Sequence, residues 1–443
     1  MLQQADITIV GTGLVGLSLA LDLLQQGHNI TLIGQASPEL PNPANRVVAL
    51  NMASKEYLNA LGAWQVIESS SLTPYQKMKI WEKDSSGKLE FKASDVGTQD
   101  LGYIVVNSAL EQALWQQINS YLAQNPQSQF TYYDAKVTAY QNLQQRHYLS
   151  LDSGEQIVSV FVIAADGGNS FIRRALNIGV NRSEYNQTAL TCVLELPTEH
   201  DYTCYQSFHQ NGILAYLPLE KPNQVSIVWS LNNDVVDQVL AYEPEKFCQQ
   251  VYACFANVLG VPKLVSKPSK FPLAKQYAQK IYADNLVFVG DAAHLIHPLA
   301  GQGVNLGFAD AWQLSDLIRN YYRTNRGIEP IKIEAWARKR VARATLTSES
   351  MAVIKTVFSN NNGLLKAIRN TGLNLIDKLN APKQFLIKNA LGYGEDPYSQ
   401  ASYNSALDVN KIQEKADLSG IVELAQKLPV QDVVKKLDQL FKK

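Results

Sequence analysis

The stretch ADITIVGTGLVG, residues 5–16, decides the fold of this chain. Its apolar run at residues 6–10 predicts a buried parallel strand. The leucines that follow predict a helix over residues 14–26, which Gly27 ends as a C-terminal cap. A second strand is expected at residues 29–33, so the chain opens with a βαβ unit.

The three glycines of GTGLVG have separate roles in such a unit. Gly11 makes the tight turn, Gly13 lets the backbone approach a pyrophosphate, and Gly16 lets helix and strand pack closely. The helix N-terminus then offers unpaired N–H groups to phosphates. We therefore predict dinucleotide binding, because the glycines follow a strand and precede a helix. The alternative is a glycine-rich turn in an unrelated α/β fold.

One expected element is missing at the end of the second strand. An acidic residue usually stands there and holds the ribose hydroxyls of the dinucleotide. Here the strand ends in Gly34-Gln35, and Glu39 lies too far along to replace the acid without a loop excursion. We expect the lost charged hydrogen bond to weaken the ribose contact by roughly 1–3 kcal/mol.

A second motif lies at Asp166-Gly167, directly after an apolar run. The pattern places a carboxylate at a strand end, with a sharp turn behind it. Arg173 and Arg174 follow one helical turn later, a position that suits phosphate or carboxylate binding. An ordinary turn with a helix cap explains the same residues equally well.

The third motif is GDAAHLIHPLAGQGVNLG, residues 290–307. It again separates a buried strand from a helix, so Asp291 is expected to hydrogen-bond a sugar-alcohol hydroxyl. The turn at 301–303 would bring backbone N–H groups and a helix N-terminus to a group that becomes negative, such as a reduced flavin. His294 and His297 lack a third ligand for a metal. A catalytic base at His297 is one alternative, and a structural histidine is the preferred one.

Composition narrows the class of protein further. Lys and Arg together number 40, as do Asp and Glu, so no net charge steers nucleic acid to the chain. The four cysteines form no CxxC pair and are expected to be buried free thiols, without a metal site. No signal peptide and no membrane span are expected, and we predict a cytoplasmic protein.

The three motifs, in this order, resemble the UbiH/UbiF/VisC/COQ6 family of FAD-dependent ubiquinone-biosynthesis hydroxylases, which are class A flavin monooxygenases. Residues 290–307 are close to the family's GDAAHxxHPLAGQGxNLG signature, and residues 46–64 resemble its RVxALNxAS…LGxW block. Residues 102–114 and 214–219 match further family segments. The resemblance covers about residues 1 to 395, and Gly34 departs from the family's usual Glu.

The predicted fold is α/β, a Rossmann-type FAD-binding domain with an inserted β-rich substrate domain and a helical C-terminal region. The FAD-binding domain is expected to be discontinuous, at residues 1–73, 103–181 and 272–345. Residues 74–102 and 182–271 would form the substrate domain, and 346–395 the helical region. Residues 396–443 are expected to be a linker and an amphipathic C-terminal helix.

The resemblance implies an oxidoreductase that hydroxylates the aromatic ring of a polyprenyl phenol in ubiquinone biosynthesis. NAD(P)H would reduce FAD, and O2 would add to give a flavin C4a-hydroperoxide that attacks the ring. A β-sheet lid with Tyr216, Leu217 and Pro218 could shield that species from water. The chain has no second GxGxxG for NAD(P)H, which is similar to the family.

The resemblance also supplies site residues. The expected FAD contacts are Gly11, Gly13, Gly16, Arg46, Gln112, Asp166, Asp291, Gln302 and Asn305. Pro298, Gly301 and Gly303 would border the flavin ring and the substrate. No residue is assigned as a catalytic base, and no metal is expected.

Two alternatives remain open at this point. The chain could hydroxylate another aromatic compound, or it could be a flavin-poor structural subunit of the ubiquinone biosynthetic complex, an idea that Gly34 motivates. A homo-oligomer, contact with other proteins of that complex, and peripheral contact with the inner membrane are further expectations. Lys435, Lys436, Lys442 and Lys443 on the C-terminal helix motivate the membrane contact.

Overall fold

A computed structural model describes residues 2–35, 43–83, 88–209, 212–255, 258–296, 302–324, 330–359, 384, 387–388 and 390–392. These residues belong to one compact unit that ends at Gly392. The predicted linker and amphipathic helix at 396–443 lie outside the described residues, as does most of 360–390, part of the predicted helical region.

The helices are numbered in chain order. They are α1 (Leu14–Gln25), α2 (Met52–Ala60), α3 (Asn107–Gln124), α4 (Phe171–Ala175), α5 (Asn233–Leu240), α6 (Pro244–Cys254), α7 (Gln302–Thr324) and α8 (Pro330–Ser359).

The strands are β1 (Leu2–Val10), β2 (Ile30–Ile33), β3 (Val47–Asn51), β4 (Leu72–Tyr75), β5 (Lys77–Glu82), β6 (Lys88–Lys92), β7 (Gly102–Val106), β8 (Phe130–Tyr133), β9 (Val137–Leu143), β10 (Arg146–Leu151), β11 (Gln156–Ala164), β12 (Val180–Glu195), β13 (Thr203–His209), β14 (Gly212–Pro218), β15 (Gln224–Asn232), β16 (Lys263–Leu264), β17 (Ser269–Ala278), β18 (Tyr282–Ala283), β19 (Leu286–Phe288) and β20 (His294–Leu295).

The first sheet contains the predicted βαβ unit. Its strands run in the order β18-β19-β11-β1-β2-β8, and β10 and β9 extend it from one end of β11. The pairs of β1 with β2 and β11, and of β2 with β8, are parallel, and Val10 lies opposite Ile33. Residues 7–10 of the predicted run are buried on both faces, as parallel strands between helical layers are, whereas Asp6 is exposed. The predicted α/β fold is confirmed.

Helix α1 is buried more completely than its sequence pattern predicts. Leu17, Leu21 and Leu24 mark the expected apolar face, but Leu19 and Leu23 are also inaccessible to solvent. The reason is that α1 contacts α3 and α7 as well as the first sheet. A helix that is apolar around most of its circumference is a core helix.

The second sheet is mainly antiparallel and runs β20-β17-β12-β15-β14-β13-β5-β6, with β16 on β12. One of its faces packs against α5 and α6, through an apolar cluster that includes Tyr216, Trp229 and Phe247. Strands β13 and β5 pair in parallel, which joins residues 77–92 to the β-rich region after residue 180. This sheet therefore combines the two segments that the sequence assigned to an inserted region.

A small third sheet, β3-β7-β4, carries the residues just after Arg46. Helices α7 and α8 contribute to the core around the first sheet. Their residues Phe308, Trp312 and Trp336 are buried in the same apolar cluster as β1 and α1. Within the described part of the chain, no helix is both long and apolar enough to cross a membrane.

Candidate functional site

A cavity of about 840 Å³ lies where the N-terminal end of α1 faces the second sheet. Its volume falls within the range typical of ligand and cofactor sites. Gly13, Arg46, Asp291 and Gly303 line one side, and residues of β13, β14, β15 and β17 line the other. Four of the sequence-predicted site residues, drawn from three separate parts of the chain, therefore meet at one cavity.

The N-terminus of α1 is open toward this cavity. Gly13 precedes the helix in an extended conformation, and no side chain caps the first turn. A Cβ atom added at Gly13 would meet nothing within 4 Å, and Leu14 and Val15 also line the cavity. The unpaired N–H groups of the first turn therefore remain available to an anion, which is the contact that a pyrophosphate needs.

Gly11 and Gly16 shape the turn behind that opening. Gly11 has a φ of +121°, and its N–H donates to the carbonyl of Ile33 at 2.7 Å. A Cβ atom at Gly16 would overlap the carbonyl oxygen of Gly11, and one at Gly11 would overlap the carbonyl oxygen of Ala165. These two glycines are required by strand–helix packing, whereas Gly13 leaves space for a ligand.

Gly34 occupies the end of β2, where an acidic residue was expected. A Cβ atom at this position would lie 2.8 Å from Oγ1 and 2.9 Å from Cγ2 of Thr12. The Thr12 hydroxyl donates to the carbonyl of Gln35 at 2.6 Å, which fixes the threonine against β2. The missing acid is therefore coupled to Thr12 of the glycine motif, because the two side chains would compete for the same space.

Asp166 caps a helix. One of its carboxylate oxygens, Oδ2, accepts hydrogen bonds from the N–H groups of Phe171 at 2.8 Å and Ile172 at 3.3 Å, at the start of α4. Burial raises the pKa of Asp166, and these hydrogen bonds oppose that shift. Ala165 and Gly167 on either side line the cavity. Oδ2 of Asp166 is therefore a helix cap, whereas the buried Oδ1 has no hydrogen-bond partner among the described residues, and the contact of Asp166 with FAD stays a prediction.

Arg173 joins the second motif to the third. Its guanidinium donates to the carbonyls of Ala292 at 2.7 Å and Gly168 at 2.8 Å, and the side chain is buried. Arg174 is exposed. The arginine pair was predicted to bind an anion, but Arg173 instead has a structural role, because its hydrogen bonds hold two loops together.

Asp291 faces the cavity from the turn after β19. The side chain is exposed to the cavity, and desolvation by the surrounding protein raises the pKa of its carboxyl group against the opposing effect of His294 and Arg46. Gly290 makes the turn with a φ of +58°. The side chain is thus placed to accept a hydrogen bond from a ligand hydroxyl inside the cavity.

A buried ionic network supports that turn from behind. Asp310 on α7 accepts hydrogen bonds from the N–H of Gly290 at 2.9 Å, from His294 Nε2 at 2.7 Å and from Arg340 Nε at 2.6 Å. Burial alone would raise the pKa of Asp310, but His294 and Arg340 hold it below its ordinary value. Sequence patterns did not indicate Asp310 or Arg340, because neither belongs to the predicted apolar stripe or to a motif interpreted as a functional site.

Asn305 also acts behind the cavity. Its Oδ1 accepts from the N–H of Asn51 at 3.0 Å and from the Ser54 hydroxyl at 2.7 Å, and its Nδ2 donates to the carbonyl of Ala49 at 2.8 Å. The side chain is buried and does not line the cavity. Asn305 therefore fixes the start of α7 to β3 and α2.

Two further residues predicted to contact FAD, Gln112 and Gln302, are absent from the cavity lining, and neighbours of each line the cavity instead. Gln112 on α3 is exposed and does not line the cavity, whereas its neighbour Glu111 does. The difference of one residue turns a side chain by about 100° around a helix, so a motif assignment off by one selects the wrong face. Gln302 begins α7, and Gly303 and Val304 after it line the cavity.

The loop 297–301 lies outside the described residues, and with it Pro298, Gly301 and His297. Among the residues that the structure does describe, no group of three or more His, Cys, Asp or Glu side chains could hold a metal ion.

The cysteines are free, and burial raises the pKa of Cys192 and Cys204. Cys204 lines the cavity as an un-ionised thiol.

The residues present fit FAD. The open space at Gly13 and the uncapped α1 N-terminus suit a pyrophosphate, and Asp291 suits a ribityl hydroxyl. The start of α7, at Gly303 and Val304, offers backbone N–H groups to the electron-rich edge of a flavin.

Comparisons with known proteins agree with this fit. The family described as the FAD binding domain matches residues 4–349. The chain is 32% identical over 398 residues to the 3-demethoxyubiquinol 3-hydroxylase of Escherichia coli, an alignment that covers 88% of this chain and 99% of that protein. It is 27% identical to the ubiquinone hydroxylase UbiL of Rhodospirillum rubrum, with 88% and 90% covered.

Solved structures show the same fold. The P. aeruginosa protein PqsL, in complex with 2-aminobenzoylacetate, superposes with a TM-score of 0.69 at 21% identity and covers 84% of this chain and all of that one. The p-nitrophenol 4-monooxygenase PnpA of Pseudomonas putida gives 0.72 at 14% identity. At these identities the likeness shows the fold alone. The family match, with the E. coli relative aligned over nearly its whole length, shows that this chain belongs to the FAD binding domain family.

Proposed function

We propose that the chain is an FAD-dependent monooxygenase that hydroxylates the aromatic ring of a polyprenyl phenol in ubiquinone biosynthesis, with O2 and NAD(P)H as co-substrates. The observation that carries the proposal is the single cavity that joins the α1 and α7 N-termini to an apolar sheet face. The names of the relatives support the substrate class: a demethoxyubiquinol hydroxylase and a ubiquinone hydroxylase.

The chain's own residues have distinct tasks in this proposal. The first turn of α1, from Gly13, binds the pyrophosphate, with Arg46 adding positive charge beside it. Asp291 accepts a hydrogen bond from the ribityl chain, and the backbone at Gly303 borders the flavin ring. Bound FAD would supply electron transfer from the nicotinamide and activation of O2.

The second sheet supplies the substrate side. Ile213, Ala215, Leu217 and Val228 line the cavity and exclude water from the reacting ring. Exclusion of water matters because an activated oxygen species reacts productively only where proton leakage and hydrolysis are prevented. The same apolar surface suits a ring that carries a hydrocarbon tail.

The finer features extend the proposal. We place the protein in the cytoplasm, in a homo-oligomer that contacts other ubiquinone-biosynthesis proteins and the inner membrane surface. We also retain the division into an FAD-binding part (1–73, 103–181, 272–345) and a substrate part (74–102, 182–271). The sharing of one sheet by β5, β6 and β12–β16 supports that division, whereas β17 and β20 extend the same sheet into residues assigned to the FAD-binding part.

One assay tests the reaction. The purified protein is loaded with FAD and incubated with NADH or NADPH, O2 and a phenol that carries a short prenyl chain. The molecular masses of the products are then measured by mass spectrometry. We expect a product heavier by one oxygen atom. Complementation of strains that each lack one ring-hydroxylation step identifies the ring position.

Two outcomes contradict the proposal. A protein that stays colourless with added FAD favours the alternative of a flavin-poor structural subunit, to which Gly34 points. A flavoprotein that oxidises NAD(P)H with other phenols but restores none of the ubiquinone-deficient strains favours a hydroxylase of another aromatic compound.

A further inference from the structure

Side chains of β14 alternate between the cavity and the opposite face of the second sheet. Ile213, Ala215 and Leu217 on β14 line the cavity, while Leu214 and Tyr216 between them belong to the apolar cluster on the opposite face. Successive side chains of a strand point to opposite faces, so register decides which residues can touch a ligand.

We call the apolar part of this face the apolar wall. Its members are Met78, Ile213, Ala215, Leu217 and Val228. Cross-strand pairing connects them, because Ala215 lies opposite Val228 on β15.

Gln206 interrupts the apolar wall. It lies on β13, opposite Ala215 on β14 and opposite Ile80 on β5, and it lines the cavity. Its neighbour Tyr205 pairs with Tyr216, on the face that packs against the helices. Tyr205 is also among the residues around the cavity, so it is the register that distinguishes the two: Gln206 shares the face of its partner Ala215, which is the ligand side.

Gln206 differs in exposure from the other polar residues near the wall, one of which, Ser226, also has a hydroxyl without a hydrogen-bond partner among the described residues. Thr191, Ser226 and Ser230 line the cavity from β12 and β15, but their exposed fractions are only 8%, 0% and 3%. Gln206 is partly exposed, and its amide makes no hydrogen bond with any residue that the structure describes. A partly exposed, uncommitted amide is thus available to a molecule in the cavity.

The chemistry of an amide suits the ring of the proposed substrate. Glutamine carries one carbonyl acceptor and two N–H donors, so it can accept from a phenol hydroxyl and donate to a methoxy oxygen. A polar group in an apolar wall that lacks a partner is costly, so such a site rejects a ligand that cannot supply the hydrogen bond.

We propose that Gln206 is the residue that orients the aromatic head of the substrate, by hydrogen-bonding an oxygen substituent on the ring. This inference rests on the proposed function, because it presumes an oxygenated aromatic ligand in the cavity. The apolar wall holds the ring by contact area, and Gln206 sets the rotation of the ring and hence which carbon faces the flavin.

A pair of ligand probes tests the assignment. One is a 2-methoxyphenol with a short prenyl chain, and the other is the same prenylated benzene without ring oxygens. Binding to the FAD-loaded protein is followed by the change in flavin absorbance. For Gln206→Leu we expect roughly fivefold weaker binding of the oxygenated probe, the equivalent of one neutral hydrogen bond. Binding of the oxygen-free probe should be unchanged or tighter.

A matched control comes from the same sheet. Gln224 begins β15 and does not line the cavity, so Gln224→Leu makes the same chemical change away from the ligand. We expect Gln224→Leu to bind both probes as the wild-type chain does, and FAD affinity to be unchanged in both variants. Gln206→Leu should also form less hydroxylated product per NAD(P)H oxidised.

The outcomes separate this inference from the proposed function. Equal losses for both probes in Gln206→Leu, or no loss, overturn the role of Gln206 even where the wild-type enzyme hydroxylates its substrate. A wild-type protein that fails to discriminate between the probes overturns it as well. Selective loss of the oxygenated probe supports the role of Gln206, and if the wild-type chain then yields no hydroxylated product, only the proposed reaction is contradicted.

Discussion

Two turns meet at the cavity, and they are held in shape by different means. The turn before α1 depends on backbone contact, since Gly16 leaves no room for a Cβ atom against Gly11. The turn at Gly290-Asp291 depends on a buried carboxylate, Asp310, which binds the Gly290 N–H together with His294 and Arg340. The first turn packs its backbone against the strand ends at Ile33 and Ala165, and the second gathers side chains from two helices and a strand.

The two turns are therefore sensitive to different kinds of substitution. A close-packed backbone turn tolerates no added atom, but it holds no charge that a change of pH or a lost partner could expose. A buried ion network tolerates small changes of shape, but the loss of one partner leaves an uncompensated charge in the interior. Arg173 ties the second turn to the Asp166-Gly167 motif, because it donates to the carbonyls of Ala292 and Gly168.

The largest effect is expected from Gly16→Ala. The new Cβ atom overlaps the Gly11 carbonyl oxygen, and backbone atoms can move aside only by parting α1 from β1. We expect a loss of more than about 4 kcal/mol in the free energy of unfolding, measured by urea denaturation, or an insoluble protein.

Gly13→Ala is the matched control within the same motif. Gly13 has a φ of −74°, and an added Cβ atom meets no protein atom within 4 Å. We expect the variant to keep its stability within about 0.5 kcal/mol but to bind FAD more weakly, because the methyl group occupies the space of the pyrophosphate. Equal stability of the two variants would contradict the separate roles of these glycines.

Asp310→Asn tests the second turn. Removal of the carboxylate leaves Arg340 charged in the interior without its partner, and we expect a loss of about 3 kcal/mol in the free energy of unfolding. The exposed pair of Glu334 and Arg338 on α8 provides the control, since Glu334→Gln should cost less than about 0.5 kcal/mol. Similar losses in both variants would show that the Asp310 network does not support the fold.

A buried histidine that makes no hydrogen bond to a described carboxylate sharpens the contrast with Asp310. His147 on β10 is fully buried, and burial lowers its pKa to about 4. In the unfolded chain His147 binds a proton below about pH 6.5, whereas in the folded chain it stays neutral down to about pH 4. The contribution of the neutral residue to the free energy of unfolding is therefore complete above about pH 6.5 and is lost as pH falls below that value. Between pH 7 and pH 5 we expect this residue to remove on the order of 2 kcal/mol.

His147→Gln should reduce that pH dependence. The glutamine retains hydrogen-bonding capacity toward the Tyr140 hydroxyl, which lies 2.8 Å from His147 Nδ1. Urea denaturation at pH 7 and pH 5 gives the comparison, and an unchanged slope in His147→Gln would show that His147 is not the titrating group.

Local sequence patterns predicted the strands, the helix and the turn around the proposed FAD site. The strands at 212–218 and 286–288, the helix from residue 107 and the turn before Gly13 lie where apolar periodicity and glycine spacing indicate. Side-chain roles were less predictable. Asn305 and Asp166 belong to motifs associated with FAD. The hydrogen bonds of Asn305 nevertheless go to the backbone of β3 and to the Ser54 hydroxyl on α2, and those of Asp166 go to the backbone of α4.

The sequence by itself determined the βαβ opening, the α/β fold and the family, because these depend on residues close together in the chain. The tertiary structure alone decided that Thr12 faces Gly34, that Asp310 reaches Gly290, and that Gln206 enters the apolar wall. Each of those facts depends on register or crossing between distant elements. Spacing along one strand or helix fixes which face a side chain takes, but only the packing of elements fixes what stands opposite it.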